Sequence, residues 1–120
     1  MAEHNETGKK GENLASQYLV DNGYSIIAHN WRFGNNEIDI IALKNNVLVI
    51  VEVKTRSSFF AAEAVVTIPK SKQKFLVKAA NAFIQKNNYD IETRFDIITI
   101  IIENNRQTVK HIEDAFYPTL

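Results

Sequence analysis

The sequence predicts an α/β fold in which helices flank a central mixed β-sheet of four or five strands. Two observations carry this prediction. Two segments repeat apolar residues at helical spacing, and the strand-like runs, such as VLVIV and IITIII, are apolar at nearly every position. Such strands are typical of a sheet that is covered on both faces. With 120 residues, the chain fits one domain spanning 1–120, with a disordered segment at 1–7.

Apolar periodicity and turn residues place the elements along the chain. The first helix has Leu14, Ala15, Tyr18 and Leu19 at helical spacing, with Gly23 where a helix commonly ends. The predicted elements are, in order, a helix at 8–22, strands at 24–33, 37–43 and 47–55, a loop at 56–69, a helix at 71–88, a strand at 94–102 and a short strand or mixed segment at 108–116. This order requires at least one crossover between parallel strands.

Charge and composition exclude several functional classes. Lys and Arg number 14, as do Asp and Glu, so the chain does not coat nucleic acid by net charge. The absence of cysteine excludes disulfides and thiolate metal sites, and the apolar runs are far shorter than the roughly 20 residues of a membrane helix. A cytoplasmic location is the expectation. Residues 64–89 contain five lysines and no acid. These lysines form either a solvated helix face or an anion-binding surface.

A tight turn sets the register of the hairpin at 37–55. Asn45 and Asn46 suit its two central positions because asparagine tolerates positive φ. That turn pairs Lys44 with Val47, whereas a three-residue loop would shift every pair by one. The partners of the charged residues in both strands follow from this turn.

Four charged residues interrupt the apolar strands of this hairpin. The register sets Asp39 opposite Glu52. It also sets Glu37 opposite Lys54, and strand alternation predicts that all four share one face. Opposed carboxylates repel, and burial strengthens the repulsion, so a lysine or a divalent cation such as Mg²⁺ or Mn²⁺ must compensate. The alternative is a salt-bridged rim, with Glu37 paired to Lys54 and the other two acids in solvent.

Further residues extend this candidate site. Glu12 lies at the margin of the apolar side of its helix, where it either joins the site or interacts favourably with the helix N-terminus. Lys72 lies on the apolar side of the second helix, as a phosphate contact or as a lysine with a buried aliphatic stem. The remaining candidates for nucleic-acid contacts are Arg56, Lys70 and Lys74.

Aromatic and histidine residues give weaker signals. Trp31 and Phe33 end a strand, while Phe59 and Phe60 lie in the loop after the candidate site. Such residues fill a core, stack on bases or form a dimer contact. No ligand spacing relates the three histidines, so no role is assigned to His4, His29 and His111.

Four segments of the chain resemble a known family. They are GKKGENLASQYLVDNGYSIIAHNWRF, NEIDIIALKNNVLVIVEVKTR, KSKQKFLVKAANAFI and RFDIITI, and they are similar in order and spacing to the YraN-like family of bacterial proteins. That family is assigned to the PD-(D/E)xK nuclease superfamily and related to archaeal Holliday junction resolvases. The resemblance implies a restriction-endonuclease-like core. It identifies Asp39 as the motif aspartate, Glu52 and Lys54 as the ExK pair, Glu12 as the helix acid and Lys72 as a recurring helix lysine.

Together these features predict a metal-dependent endonuclease, a hydrolase acting on branched or Holliday-junction-like DNA. Asp39, Glu52 and the Val53 carbonyl would hold Mg²⁺ or Mn²⁺. Lys54 would position the attacking water, and Glu12 would support the site. A homodimer is expected because two symmetric cuts need two active sites. Two alternatives stay open, a non-catalytic nucleic-acid-binding module on a nuclease scaffold and a small interaction protein with a salt-bridged rim.

Overall fold

A five-stranded mixed sheet lies between two helices in the described part of the chain, which comprises residues 2–58 and 67–118 of the computed structural model. The elements are α1 (Ala2–Asp21), β1 (Ser25–Phe33), β2 (Asn36–Lys44), β3 (Val47–Arg56), α2 (Lys70–Asn87), β4 (Glu92–Glu103) and β5 (Arg106–Ile112). This α/β architecture confirms the predicted fold class and is compatible with a restriction-endonuclease-like core. Neither described helix is long and apolar enough to cross a membrane.

The strands lie side by side in chain order, from β1 to β5. Neighbours are antiparallel except β3 and β4, which are parallel and are connected through α2. The predicted crossover is therefore confirmed. The β2–β3 turn is also as predicted, since Asn45 and Asn46 have φ of 51° and 61°.

Two separate apolar clusters cover the two faces of the sheet. On one face, α1 packs through Ala15 and Leu19 against strand residues such as Val49. On the other face, α2 packs through residues that include Leu76 and Phe83. Consecutive strand residues are apolar because each face has its own helix. Trp31 and Phe33 lie on the α2 side, where the Trp31 and Phe83 ring centroids are 5.3 Å apart, so both pack against the core and are partly buried.

The first helix and the last strand differ most from their predicted bounds, and the other elements differ by one or two residues. α1 begins at Ala2, so residues 2–7 are helical where the sequence predicts disorder; the segment contains alanine and glutamates, which form helices well. β5 spans Arg106–Ile112 and not 108–116, because Asn104 and Asn105 have positive φ and form a tight turn directly before it. The predicted loop at 56–69 is described only at its ends, and Phe59 and Phe60 lie outside the described residues.

Candidate functional site

The β2–β3 hairpin has the predicted register, but its ladder stops short of the charged residues. Pairing runs from Lys44 opposite Val47 at the turn to Ile40 opposite Val51. The next pair in this register would begin with Asp39, and it does not form. The two strands therefore separate at this point, and their facing main-chain groups no longer bond to each other.

Asp39 occupies the gap where the strands separate. Its Oδ2 accepts a 2.8 Å hydrogen bond from the backbone N–H of Val53. In a continued ladder that N–H would face Ile38, so a side chain replaces a main-chain partner. Because the N–H and C=O of one strand residue point to the same side, the Val53 carbonyl also faces the gap.

β2 changes face at Asp39. Ile38 packs in the cluster under α2 and Ile40 in the cluster under α1, although regular alternation would place residues two apart on one face. On the neighbouring strand β1, Asn30 has a φ of 46° at the facing position. The irregularity leaves Asp39 between the two faces, with access to acids on both sides.

The environment of Asp39 is unfavourable for a carboxylate. Burial and the adjacent Glu52 carboxyl raise the pKa of Asp39 to about 8, with a smaller contribution from Glu12. The hydrogen bond from Val53 opposes this rise but does not overcome it. Near neutral pH the carboxyl therefore binds a proton, unless another positive charge takes its place.

Glu12 reaches the site from α1. The Asn30 side-chain amide donates a 2.8 Å hydrogen bond to Glu12 Oε1. The helix lies close to β3 because Gly11 has no side chain, and a Cβ at this position would overlap Thr55 Oγ1. Sequence reasoning missed Asn30 and Gly11. A glycine inside a helical pattern was a usable signal for close packing, whereas Asn30 lies in an ordinary strand pattern.

A polar cavity of about 370 Å³ opens beside these residues, between α1 and the separated strands. Its lining consists of Thr7, Gly8, Glu12, Glu37, Asp39, Val53 and Thr55. A water molecule occupies about 30 Å³ in the liquid, so this volume holds a hydrated cation together with a phosphate group. The structure thus brings Glu12 and Asp39 together around a space that a ligand can enter.

The prediction that all four charged residues of the hairpin share one face is wrong. Glu37 and Asp39 line the cavity, whereas the Glu52 carboxylate, 13% exposed, lies 3.6 Å from Lys72 Nζ on the α2 side. Alternation along β3 places Lys54 on the side of Glu52. The cause is the face change of β2 at Asp39, which single-strand alternation does not foresee.

The salt bridge of the alternative interpretation, between Glu37 and Lys54, does not form. Glu37 lies 3.9 Å from Arg32, and not against Lys54. Within residues 7–58 and 67–118, Lys54 has no ion-pair partner. Arg56 donates to the neighbouring Thr55 carbonyl at 3.1 Å. Lys54 therefore carries an uncompensated charge next to the candidate site.

Lys70 and Lys74 do not reach this cavity. Both lie on the outer side of α2, where they line a separate groove with Phe116. Only Lys72, among the three predicted lysines of this helix, contacts an acid of the site.

The acid Asp96 on β4 is buried and has a full set of hydrogen-bond donors. Arg94 donates twice at 2.9 Å, His111 Nε2 lies 2.7 Å away and the Asp114 N–H donates at 3.2 Å. Burial would raise the pKa of Asp96, but the hydrogen bonds from His111 and Arg94 outweigh it and lower the pKa. The Tyr18 hydroxyl lies 3.0 Å from His111 Nδ1. Sequence reasoning assigned His111 no role, because its partners are distant in sequence.

Sequence comparison relates the chain to known proteins. A family model described as "Uncharacterised protein family UPF0102" matches residues 11–100. The chain belongs to this family. A UPF0102 protein of Bacteroides thetaiotaomicron is 52% identical over 122 residues, which cover 100% of this chain and 99% of the relative. UPF0102 protein FP2501 of Flavobacterium psychrophilum is 50% identical, with 98% of each chain covered. The relatives align over the whole described fold, and the family model covers every cavity residue except Thr7 and Gly8.

Proposed function

We propose that this protein is a metal-dependent endonuclease that hydrolyses phosphodiester bonds in DNA, with branched or Holliday-junction-like DNA as its substrate. The observation that supports this best is the Asp39 carboxyl, which lies partly buried beside Glu52 and has its pKa raised to about 8. Strongly perturbed acids beside a cavity are typical of functional sites. A divalent cation is the simplest ligand that removes this repulsion.

The groups at the gap fit a hard divalent cation. Asp39 and Glu52 offer carboxylate oxygens, and the Val53 carbonyl faces the same space. Mg²⁺ prefers one or two protein carboxylates and keeps several waters, so a closed protein cage is not required. Indeed, no group of three or more acidic or histidine side chains forms a ready metal cage in the described ranges. When bound, Mg²⁺ or Mn²⁺ would offset charge on the scissile phosphate and make a coordinated water more acidic.

The side chains around the gap would divide the remaining work. Lys54 has no carboxylate partner among the described residues, so its ammonium is free to orient the attacking water. Lys72 holds Glu52 and adds positive charge on the α2 side. Glu12, which accepts a hydrogen bond from Asn30, would use its other oxygen to accept hydrogen bonds from water in the cavity. Arg56 lies further along β3 and would contact a phosphate of the bound strand.

A cut on each of two strands requires two active sites, and we propose a twofold-symmetric homodimer in the cytoplasm. Light scattering during junction binding would give the mass of two chains per junction. A single chain per junction would restrict the proposal to nicking of one strand.

The proposal is tested by cleavage of end-labelled four-way junction, flap, duplex and single-stranded DNA, with matched RNA substrates, in Mg²⁺ or Mn²⁺. Asp39→Asn and Lys54→Ala are compared with the wild type and with Asp90→Asn, which changes an exposed aspartate away from the cavity. We expect metal-dependent junction cutting by the wild type and Asp90→Asn, and none by the other two.

The alternatives give different results in the same assay. Junction binding without cutting, in all four proteins, would replace the endonuclease by a non-catalytic binding module. If the proteins neither bind nor cut the junction, the remaining alternative is a small interaction protein. Preferred cutting of the RNA junction would change the substrate but keep the site.

A further inference from the structure

A row of lysines marks a surface that is separate from the cavity. Lys70, Lys74 and Lys78 are exposed and recur every four residues on α2, so they lie on one side of the helix about 6 Å apart. They rim an open groove of about 260 Å³. Its other lining residues are Gln73, Val77, Phe116 and Pro118.

The charge of this row is uncompensated. No carboxylate pairs with Lys70, Lys74 or Lys78 in the described parts of the chain. Lysines at i and i+4 repel each other modestly along a helix. An anionic ligand with several regularly spaced charges would remove this repulsion along the whole row.

The floor of the groove is apolar and fixed. Phe116 stacks on Phe95 with ring centroids 4.8 Å apart and is half-buried. The Ala115 N–H donates a 2.7 Å hydrogen bond to the Phe95 carbonyl, which holds the segment after β5 against β4. Phe116 therefore presents a held aromatic ring beside Val77, with a row of ammonium groups at the rim.

We propose that this groove binds single-stranded nucleic acid, with phosphates on the three lysines and an unpaired base against Val77 and Phe116. Aromatic platforms beside positive charge are the common means of binding single strands. A duplex keeps its bases stacked inside, so it can contact the lysines but not the apolar floor. The groove thus selects DNA that carries an unpaired segment. This inference rests on the proposed endonuclease function and specifies its substrate.

Continuity with the candidate site favours nucleic acid over an acidic peptide. Lys72 lies between Lys70 and Lys74 in the chain, on the first two turns of α2, and its ammonium contacts Glu52. A strand bound at the gap between Asp39 and Glu52 would leave it on the α2 side beside Lys72, and would cross the N-terminal end of α2 to reach the groove on the outer side of this helix. An acidic peptide has no such reason to bind beside these carboxylates.

The test is equilibrium binding of a fluorescent dT oligonucleotide in EDTA, where metal-dependent cleavage does not occur, over a series of salt concentrations. For single strands, the logarithm of the binding constant falls with the logarithm of salt concentration by about 0.7 per phosphate contact. We expect Lys74→Gln to make this slope shallower by about 0.7, and substitution of all three lysines by glutamine to make it shallower by about 2. Lys86→Gln, an exposed lysine of α2 outside the groove, is the control and leaves the slope unchanged.

The apolar floor has its own variant. Phe116→Leu keeps a side chain against Phe95 but removes the flat ring, so single-strand binding should weaken about tenfold with an unchanged salt slope. A duplex of equal length should bind this variant as it binds the wild type. The lysine variants are on the surface, so they test the groove even where Phe116→Leu perturbs folding.

Identical salt slopes for Lys74→Gln and Lys86→Gln would overturn the proposal, as would tighter binding of an acidic peptide than of the oligonucleotide. Junction cleavage that persists without single-strand binding would refute the proposed binding groove and retain the proposed endonuclease. Single-strand binding without any cleavage would refute the proposed endonuclease activity and retain the proposed binding groove.

Discussion

Two aspartates in the same sheet, the buried Asp96 and the partly buried Asp39, have opposite surroundings. Asp96 accepts hydrogen bonds from Arg94, His111 and a backbone amide, and its pKa lies below the usual range. Asp39 accepts one from Val53 and faces other acids, and its pKa is raised to about 8. The fold compensates the first charge and leaves the second uncompensated beside a cavity. We infer that Asp96 stabilises the fold and that Asp39 binds a ligand.

The largest expected difference is in stability. Asp96→Asn removes the charge that Arg94 and His111 share, and loss of one partner of a buried ion pair costs roughly 3 to 5 kcal/mol. Asp39→Asn removes a carboxyl that must take up a proton on folding at pH 7, and it keeps an acceptor for Val53, so the metal-free protein should be equally or more stable. Urea unfolding at pH 7 in EDTA measures both. Equal destabilisation by the two substitutions would contradict the comparison.

Metal should stabilise the protein only when the Asp39 carboxylate is present. A cation at 100 times its dissociation constant raises the free energy of unfolding by about 2.7 kcal/mol if it binds only the folded state. We expect Mn²⁺ to raise the melting temperature of the wild type and of Asp90→Asn, and to leave that of Asp39→Asn unchanged. The same rise in all three proteins would place the metal elsewhere.

The close approach of α1 should be sensitive to one methyl group. Gly11→Ala inserts a Cβ against Thr55 Oγ1, and such overpacking costs typically 1 to 3 kcal/mol. It should also displace Glu12 and reduce cleavage. Gly11→Ala combined with Thr55→Ala removes the clashing oxygen and should recover part of both losses. A Gly11→Ala protein with full stability and activity would show that the close packing is dispensable.

The two aspartates should also give opposite pH dependences of stability. An acid with a raised folded-state pKa contributes stability at low pH that is lost as pH rises, here from about 4 to about 8 for Asp39. An acid with a lowered pKa contributes stability above its unfolded value of 3.8, lost as pH falls below it, which applies to Asp96. Metal-free wild type should therefore become less stable from pH 4 to 8 relative to Asp39→Asn. Parallel curves in that window would contradict the assignment.

The smallest expected effect concerns the position of Glu12. Asn30→Gly removes the amide that binds Glu12 but tolerates the positive φ, so the fold should remain and cleavage should fall modestly. Asn30→Ala removes the same amide and adds backbone strain, so the difference between the two variants isolates the backbone contribution. Unchanged cleavage by Asn30→Gly would show that Glu12 needs no such support.

Local chemistry explains which features the sequence could predict. The hairpin register depends on Asn45 and Asn46, two adjacent residues whose conformation is intrinsic, and it is correct. The prediction that the four charged residues share one face is wrong, because that arrangement requires the β2–β3 ladder to continue past Ile40, which it does not. The strand separation involves Asn30 on another strand, which no pattern within β2 or β3 indicates.

The Asp96 cluster was missed for the same reason. Its contacts join Tyr18 on α1, Asp96 on β4 and His111 on β5, residues that lie far apart in the chain. The sequence shows each of them as an isolated polar residue. Only the packing of α1 across β4 and β5 makes them a cluster.

The most direct test of the account is the pKa of the Asp39 carboxyl, measured by carbon NMR of ¹³C-labelled protein with and without Mg²⁺, with the signal assigned through Asp39→Asn. We expect a pKa of about 8 in the absence of metal and a value below the ordinary aspartate range when Mg²⁺ is bound. An ordinary pKa near 3.9 that does not respond to Mg²⁺ would contradict both the uncompensated charge and the proposed metal site.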